Sequence, residues 1–233
     1  GQSSISGLTP RAYAPIMGPG PQVEVSTSAN HTFVRRSDGT LWAFGTGTSG
    51  QLGLGTLSNS DPVQVGTDTD WIRVRVSSSC TMGLRSNGTL WAWGTNSFGQ
   101  LGDGTTTQRN VPVQIGTATH WASVYSGNSH SMATTVTGEL YGWGDYLHGA
   151  SGVSVDGYVS TPTQVGTSNV WARLTNGSAY FTAASTTDGT LWGLGFNGET
   201  QISNLARVDS VFAYAHPAIG HQSITFPVVT ITA

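Results

Sequence analysis

Lysine is absent from this chain of 233 residues, and cysteine occurs once, at position 80. Without lysine, nine arginines are the only fixed cations, and they face twelve acids for a net charge of −3. A phosphate-neutralising surface of useful size cannot be built from that supply, so no nucleic-acid partner is expected. A lone Cys80 excludes an intrachain disulfide and a cysteine-rich zinc site. Charge of either sign is scarce, at 9% of residues against about 25% in an ordinary soluble domain. Long apolar runs are missing too. The longest nearly uncharged stretch, Val211 to Ala233, is interrupted by His216, Pro217, Gly220, His221 and Pro227, which suits strands and turns and not a membrane-spanning helix. Gly1 is not followed by a basic flank and an apolar block, so no signal peptide is expected there.

Glycine and aromatic bulk are what the chain has in quantity: 32 Gly, eight Trp, seven Tyr and seven Phe. That is enough apolar volume for a core, so disorder is not expected and the length suits one domain. The aromatic residues are periodic. Leu41-Trp42-Ala43-Phe44-Gly45 returns as Leu90-Trp91-Ala92-Trp93-Gly94, Leu140-Tyr141-Gly142-Trp143-Gly144 and Leu191-Trp192-Gly193-Leu194-Gly195, at steps of 49, 50 and 51 residues. Pro62-Val63-Gln64-Val65-Gly66, Pro112-Val113-Gln114-Ile115-Gly116 and Pro162-Thr163-Gln164-Val165-Gly166 keep a step of 50, as do Trp71, Trp121 and Trp171. Asp38-Gly39, Asn87-Gly88, Thr137-Gly138 and Asp188-Gly189 precede the aromatic strands, where Asp-Gly and Asn-Gly signal hairpins.

Each period predicts four short strands and no helix. A four-stranded sheet of about 50 residues cannot bury both faces alone, so neighbouring sheets must stack, and a β-propeller is the closed way to do so. The expected fold is all-β: a propeller of four-stranded blades with four repeats over 22–206, at approximately 22–70, 71–120, 121–170 and 171–206. Gln201-Ile202 through Val211 matches Gln164-Val165 through Leu174, so the fourth repeat has a shortened loop. Residues 207–233 are expected to supply strands of a partial fifth repeat, and 1–21 an arm whose strand near Ala14 to Met17 closes it.

The copies Asn30-His31-Thr32 … Asp38-Gly39-Thr40-Leu41-Trp42-Ala43-Phe44-Gly45 … Gly50-Gln51-Leu52-Gly53 and Gly88-Thr89-Leu90-Trp91-Ala92-Trp93-Gly94 … Gly99-Gln100-Leu101-Gly102-Asp103-Gly104-Thr105 resemble the regulator of chromosome condensation repeat. The resemblance covers roughly residues 22–206 and fades in the third copy, where Gly149-Ala150-Ser151-Gly152 replaces Gly-Gln-Leu-Gly, and in the fourth, with Gly198-Glu199-Thr200-Gln201. It implies a β-propeller, usually of seven blades. It also implies a platform for protein partners, with nucleotide exchange in the founding member and enzyme inhibition in some secreted bacterial relatives.

Trp42, Trp71, Trp91, Trp93, Trp121, Trp143, Trp171 and Trp192 all lie within the repeat. A ring required by every blade for packing explains the recurrence without a ligand. Full burial of one contributes on the order of 4–6 kcal/mol as an upper bound, against about 0–1 kcal/mol for an exposed ion pair. Gly45-Thr46-Gly47-Thr48-Ser49-Gly50 spells a dinucleotide fingerprint by accident, because its repeat equivalent, Gly94 to Gly99, lacks the second glycine and no helix follows. Asp68 and Asp70 are the one local carboxylate pair and a weak cation candidate. His31 and His130 share a repeat position that the steps assign to Cys80 and Tyr180 elsewhere, which suits semi-buried packing over metal binding. Catalytic residues, metal ligands and cofactors are therefore not expected. Asn30, Asn87 and Asn176 begin glycosylation sequons, which matter only in a eukaryotic secretory host.

A surface rich in Thr, Ser, Asn and Gly with little charge costs little to desolvate, which suits an interface. The expected function is a non-catalytic protein-binding or structural module, a virion decoration, fibre or tail component. A secreted bacterial adhesin, lectin or enzyme inhibitor is the alternative. The expected partner is a protein, including copies of the chain or a particle lattice, with glycan second and an extracellular or virion location. Pro15 and Pro21 in the N-terminal arm, and Ile224, Phe226 and Val229 near the C-terminus, are candidate docking positions by strand addition.

Overall fold

The structure, a computed structural model, describes residues 22–55, 58–145, 151–153, 157–174 and 181–195. Among them the chain forms only strands, in four antiparallel sheets whose strands follow in sequence order. The first sheet contains β1 (Gln22–Thr27), β2 (His31–Arg36), β3 (Leu41–Gly45) and β4 (Asn59–Gln64). The second contains β5 (Trp71–Val76), β6 (Cys80–Arg85), β7 (Leu90–Gly94) and β8 (Arg109–Gln114). The third contains β9 (Trp121–Ser126), β10 (His130–Thr135), β11 (Leu140–Asp145) and β12 (Tyr158–Gln164). The fourth shows three strands among the described residues, β13 (Trp171–Leu174), β14 (Phe181–Thr186) and β15 (Leu191–Gly195). The expected fifth repeat, the closing strand near Ala14 to Met17 and the docking positions Pro15, Pro21, Ile224, Phe226 and Val229 lie outside the described residues.

The hairpins are set by the Asp-Gly and Asn-Gly turns. The Gly39 amide donates to the Arg36 carbonyl at 3.0 Å, and the Arg36 amide to Thr40 at 3.0 Å. Gly39, Gly88, Gly138 and Gly189 then take φ of 77°, 78°, 87° and 87°. This is a turn closed by a left-handed glycine, the three-residue hairpin class and not the two-residue one. The side chain before each glycine pins the turn: Thr40 donates to Asp38 Oδ1 from its amide at 2.9 Å and its hydroxyl at 2.7 Å, and Thr89 does the same to Asn87 Oδ1 at 3.1 and 2.7 Å.

Each turn also touches the start of the next sheet. The amides of Trp71, Trp121 and Trp171 donate to the carbonyls of Gly39, Gly88 and Gly138 at 3.2, 3.2 and 3.0 Å. The approach is so close that a Cβ at Gly39 or Gly88 would stand 1.9 or 2.0 Å from the Thr69 or Thr119 carbonyl oxygen. Glycine is required there by space as well as by φ.

Among the described residues, three apolar cores fill the gaps between consecutive sheets. Phe33, Leu41, Ala43, Leu52 and Val65 of the first repeat meet Trp71, Val74 and Trp93 of the second. Met82, Leu84, Leu90, Leu101 and Ile115 meet Trp121, Val124 and Trp143, with Cys80 beside them. Tyr125, Met132, Leu140 and Val165 meet Trp171, Ala184 and Leu194. Rings meet edge-on or tilted: Trp71 lies 5.8 Å from Trp93 at 66°, and Phe33 lies 5.8 Å from Trp93 at 59° across the sheet boundary. Trp71, Trp93, Trp121, Trp143 and Trp171 are buried, whereas Trp42, Trp91 and Trp192 are half-buried. Val25 is 59% exposed although its repeat equivalents Val74 and Val124 are 0% and 2% exposed, so the first sheet's leading face is uncovered among the described residues.

The register corrects one expectation. His31, Cys80 and His130 pair with Gly45, Gly94 and Gly144, and the residue paired with Gly195 is Phe181, not Tyr180. The step between the third and fourth repeats is 51 residues along this strand as well, because the turn of the fourth hairpin keeps the same length as the others.

Candidate functional site

The loop between the third and fourth strand of one sheet reaches across to the next. In Gly50-Gln51-Leu52-Gly53, the Gln51 carbonyl accepts the Trp93 indole N–H at 3.0 Å and the Thr81 hydroxyl at 2.9 Å. The Gln100 carbonyl accepts Trp143 Nε1–H at 2.9 Å and the Ser131 hydroxyl at 2.8 Å. The glutamine side chains brace their own loops, Gln51 Oε1 taking the Ser49 amide at 2.8 Å and Gln100 Oε1 the Phe98 amide at 2.9 Å. Leu52 and Leu101 drop into the cores. In the third repeat Ser151 stands at the leucine position, fully buried, with its hydroxyl lacking a hydrogen bond, and Leu194 replaces the tryptophan that would have reached over. The sequence carries this pairing, Gln51 with Trp93 and Gln100 with Trp143, but motif reading passes it by because the acceptor is a backbone carbonyl.

The strand ends opposite the hairpin turns bring His31, Cys80 and His130 into equivalent buried positions. Their partners differ. Cys80 Sγ lies 3.1 Å from both Ser77 Oγ and Ser126 Oγ, and burial pushes its thiol pKa up, so Cys80 is an inert core group. His130 Nε2 shares a hydrogen bond of 2.8 Å with Thr182 Oγ1 of the next sheet. His31 Nδ1 shares one of 2.8 Å with Ser28 Oγ, while its Nε2 is buried without a partner. Desolvation lowers the His31 pKa from 6.5 to about 4. Among the described residues no three His, Cys, Asp or Glu converge on a metal position.

The ion pairs are structural. Glu24 accepts Arg35 Nε at 3.4 Å and the Val74 amide at 3.2 Å through Oε2, and pairs with Arg75 through Oε1, bridging the first two sheets. The Asp68–Asp70 pair does not make a cation site. The Arg85 guanidinium stands against both, pairing with Asp68 and lying 3.6 Å from Asp70. In the β7–β8 loop, burial opposes ionisation of Asp103, but the Thr105 hydroxyl, the Arg109 guanidinium and the Thr105 amide together hold its pKa below the usual value. Asn96 ties the same loop, donating to Asp103 Oδ1 at 3.1 Å and accepting the Leu101 amide at 2.9 Å.

At the hairpin end the second, third and fourth sheets each pair a half-buried ring with a buried one. Trp91 meets Trp71 edge-on at 6.0 Å, Tyr141 meets Trp121 at 5.1 Å, and Trp192 meets Trp171 at 5.4 Å. Trp42 and Trp91 are held by their indole N–H donating to Thr40 and Thr89 Oγ1 at 3.0 and 2.9 Å. Arginine covers two of the faces: Arg36 Cζ lies 4.8 Å over Trp42, and Arg85 Cζ 3.8 Å over Trp91 and 4.6 Å over Trp71. Further out, Val63, Val111 and Tyr158 on β4, β8 and β12 and Phe98 in the β7–β8 loop are exposed.

The regulator of chromosome condensation (RCC1) repeat matches residues 38–84 and 87–134, and a second form of it matches 23–51 and 72–100. Prp20p of Saccharomyces cerevisiae superposes with a TM-score of 0.71 at 19% identity over 78% of this chain and 47% of that one. The chain is an RCC1-like repeat β-propeller. Yeast RCC1 (Prp20) bound to Kap60 gives 0.68 at 20% identity over 78% and 45%, and human WBSCR16 gives 0.67 at 19% over 75% and 47%. The chain thus spans about half the length of these relatives. The Prp20p structure is described together with its binding to Gsp1p and histones. No curated protein sequence matches the chain significantly. Among the described residues, no helix is long and apolar enough to cross a membrane.

Proposed function

We propose that this RCC1-like propeller is a non-catalytic protein-binding platform, serving as a structural component of a virion or an extracellular assembly. The observation that carries the reading is where the polar chemistry goes. Glu24, Asp68, Asp70, Asp103, Cys80 and His130 are each engaged in holding loops or neighbouring sheets together. What faces outward instead is a rim with little charge and exposed Val63, Phe98, Val111 and Tyr158, a composition that favours burial against another protein. Kap60 bound to yeast RCC1 (Prp20), and the binding of Prp20p to Gsp1p and histones, support protein partners for this architecture.

A lectin reading fares worse at the hairpin end, because sugar stacking needs an open ring face and Arg36 and Arg85 cover Trp42 and Trp91. The test is cross-linking mass spectrometry on the native source assembly, with chemistry directed at carboxylates because lysine is absent. Links from this chain to a second polypeptide are expected. A chain recovered from its source as an unassociated monomer that binds a glycan array would overturn the proposal.

A further inference from the structure

The hairpin turns that lead into the aromatic strands hold two chemistries in one geometry. In the second repeat the Trp91 indole N–H donates to Thr89 Oγ1 at 2.9 Å, which leaves the hydroxyl proton for Asn87 Oδ1 at 2.7 Å. The Thr89 amide donates to the same Oδ1 at 3.1 Å. In the first repeat Trp42, Thr40 and Asp38 form this relay around a carboxylate, with the indole at 3.0 Å, the hydroxyl at 2.7 Å and the amide at 2.9 Å. Asp188 holds the position in the fourth repeat and accepts the Thr190 amide at 3.0 Å. Asn87 is therefore a carboxamide in a turn that serves an acid equally well. It is exposed and followed by Gly88, and no other Asn-Gly pair lies among the described residues.

We infer that Asn87 is a site of covalent modification, where water converts the carboxamide to a carboxylate through a cyclic imide with the Gly88 nitrogen. The Gly88 nitrogen attacks Asn87 Cγ, the new C–N bond closes a succinimide ring, and the side-chain nitrogen leaves as ammonia with the proton from Gly88. Water then opens the Cγ–N bond: its oxygen stays on Cγ and a proton returns to the Gly88 nitrogen. Glycine admits the attack because it has no Cβ to crowd the approach. Negative charge develops on Oδ1 in both steps, and the Thr89 amide and hydroxyl are already donating to that atom, as an oxyanion site requires. The Trp91 N–H polarises the hydroxyl further. The Gly88 N–H rests on the Arg85 carbonyl at 2.9 Å; this bond opens for the attack, while the Thr89 donors sit one residue further on. The same donors single out Cγ over the backbone carbonyl when water attacks the imide, so the ordinary aspartyl chain is the product and not the isoaspartyl one. That product has its place prepared. Hydrogen bonds from the Thr40 hydroxyl and amide hold the Asp38 pKa below its usual value, so this turn favours a carboxylate. The conversion consumes water alone and is independent of any partner.

The test keeps the full native chain in mildly alkaline buffer and follows the tryptic peptide Ser86–Arg109 by mass spectrometry, with fragmentation that places the amide-to-acid change and separates aspartyl from isoaspartyl. Conversion at Asn87 with aspartyl as the main product is expected in the native chain, and mainly isoaspartyl product when the chain is unfolded in urea. Thr89→Val, which lacks the hydroxyl, should slow the native conversion severalfold and raise the isoaspartyl share, and Thr89→Ser should keep parental behaviour. Asn87→Asp, the product itself, should unfold at no lower urea concentration than the parent. An Asn87 that stays a carboxamide in the native chain while converting in urea overturns the inference, because the turn would then be a shield. So does a mainly isoaspartyl product from the native chain, or an equal rate in the parent and Thr89→Val.

Discussion

His31 sits where an imidazole is costly to charge: one ring nitrogen meets Ser28, and the other has lost water without gaining a partner. Its folded pKa of about 4 lies below the 6.5 of the unfolded chain, so the unfolded state binds the proton first as pH falls. The stability His31 contributes is whole above about pH 6.5 and drains away between there and about pH 4. The loss amounts to about 3 kcal/mol at most. His31→Cys, which installs the residue the second repeat uses, is expected to flatten this limb in urea unfolding measured at pH 7.5, 5.5 and 4.5. Equal acid sensitivity in both proteins would assign the limb elsewhere. Asp38, Glu139 and Asp188 do not confuse the window: hydrogen bonds from Thr40, Thr135 and Thr186 lead in lowering their pKa values. Their contributions begin to fade only at about pH 5 and below, so the change between pH 7.5 and 5.5 belongs to His31.

Tryptophans that share a sequence pattern do not share a role. Trp93 is fully buried and donates to the Gln51 carbonyl across a sheet boundary, whereas Trp42 is half-buried and donates to Thr40 in its own hairpin. Trp93→Phe removes the donor and leaves a void, and is expected to cost about 2–4 kcal/mol. Trp42→Phe should cost about 1 kcal/mol or less, because its site is open to water. Chemical denaturation of both variants checks the ranking, and equal losses would contradict it.

At the level of the element, periodicity in the sequence was sufficient for the strands and hairpins, because Asp-Gly and Asn-Gly turns act locally and the alternation around Trp42 and Trp91 repeats without interruption. Three things were not legible. The step that puts Phe181 where Tyr180 was expected depends on which residue pairs with Gly195, a question of register that spacing alone leaves ambiguous. Arg85 against Asp68 and Asp70 brings together groups far apart in sequence, so the two acids looked like a cation pair when seen alone. The Gln51 and Gln100 loops act through backbone carbonyls, and a carbonyl leaves no residue-type signature. The turn glycines give the sharpest check at this scale. Gly88→Ala would press a Cβ onto the Thr119 carbonyl oxygen at φ 78°, so the second hairpin and the start of the third sheet must both move, at an expected cost above about 3 kcal/mol. Gly55→Ala, with no atom within 4 Å of its added Cβ and φ 86°, should cost only about 1 kcal/mol. Thermal unfolding of the pair separates space from φ, and a mild Gly88→Ala would show that the sheet junction is looser than described.

At the scale of the whole molecule, no sheet among the described residues owns its core. Each apolar cluster takes residues from two consecutive sheets, and each junction adds a turn carbonyl held by the next sheet's first tryptophan amide. Stability is therefore a property of junctions, as expected for stacked repeats, and a rigid body built this way can present an outer rim with little charge to a partner. The most direct test is residue-resolved hydrogen exchange on Trp93→Phe beside the parent chain. If the sheets are locked through their shared cores, protection falls together in β2 and β3, in β6 and β7, and in β9 and β10. Faster exchange confined to β6 and β7 would contradict the account, since the sheets would then be independent units that merely lie side by side.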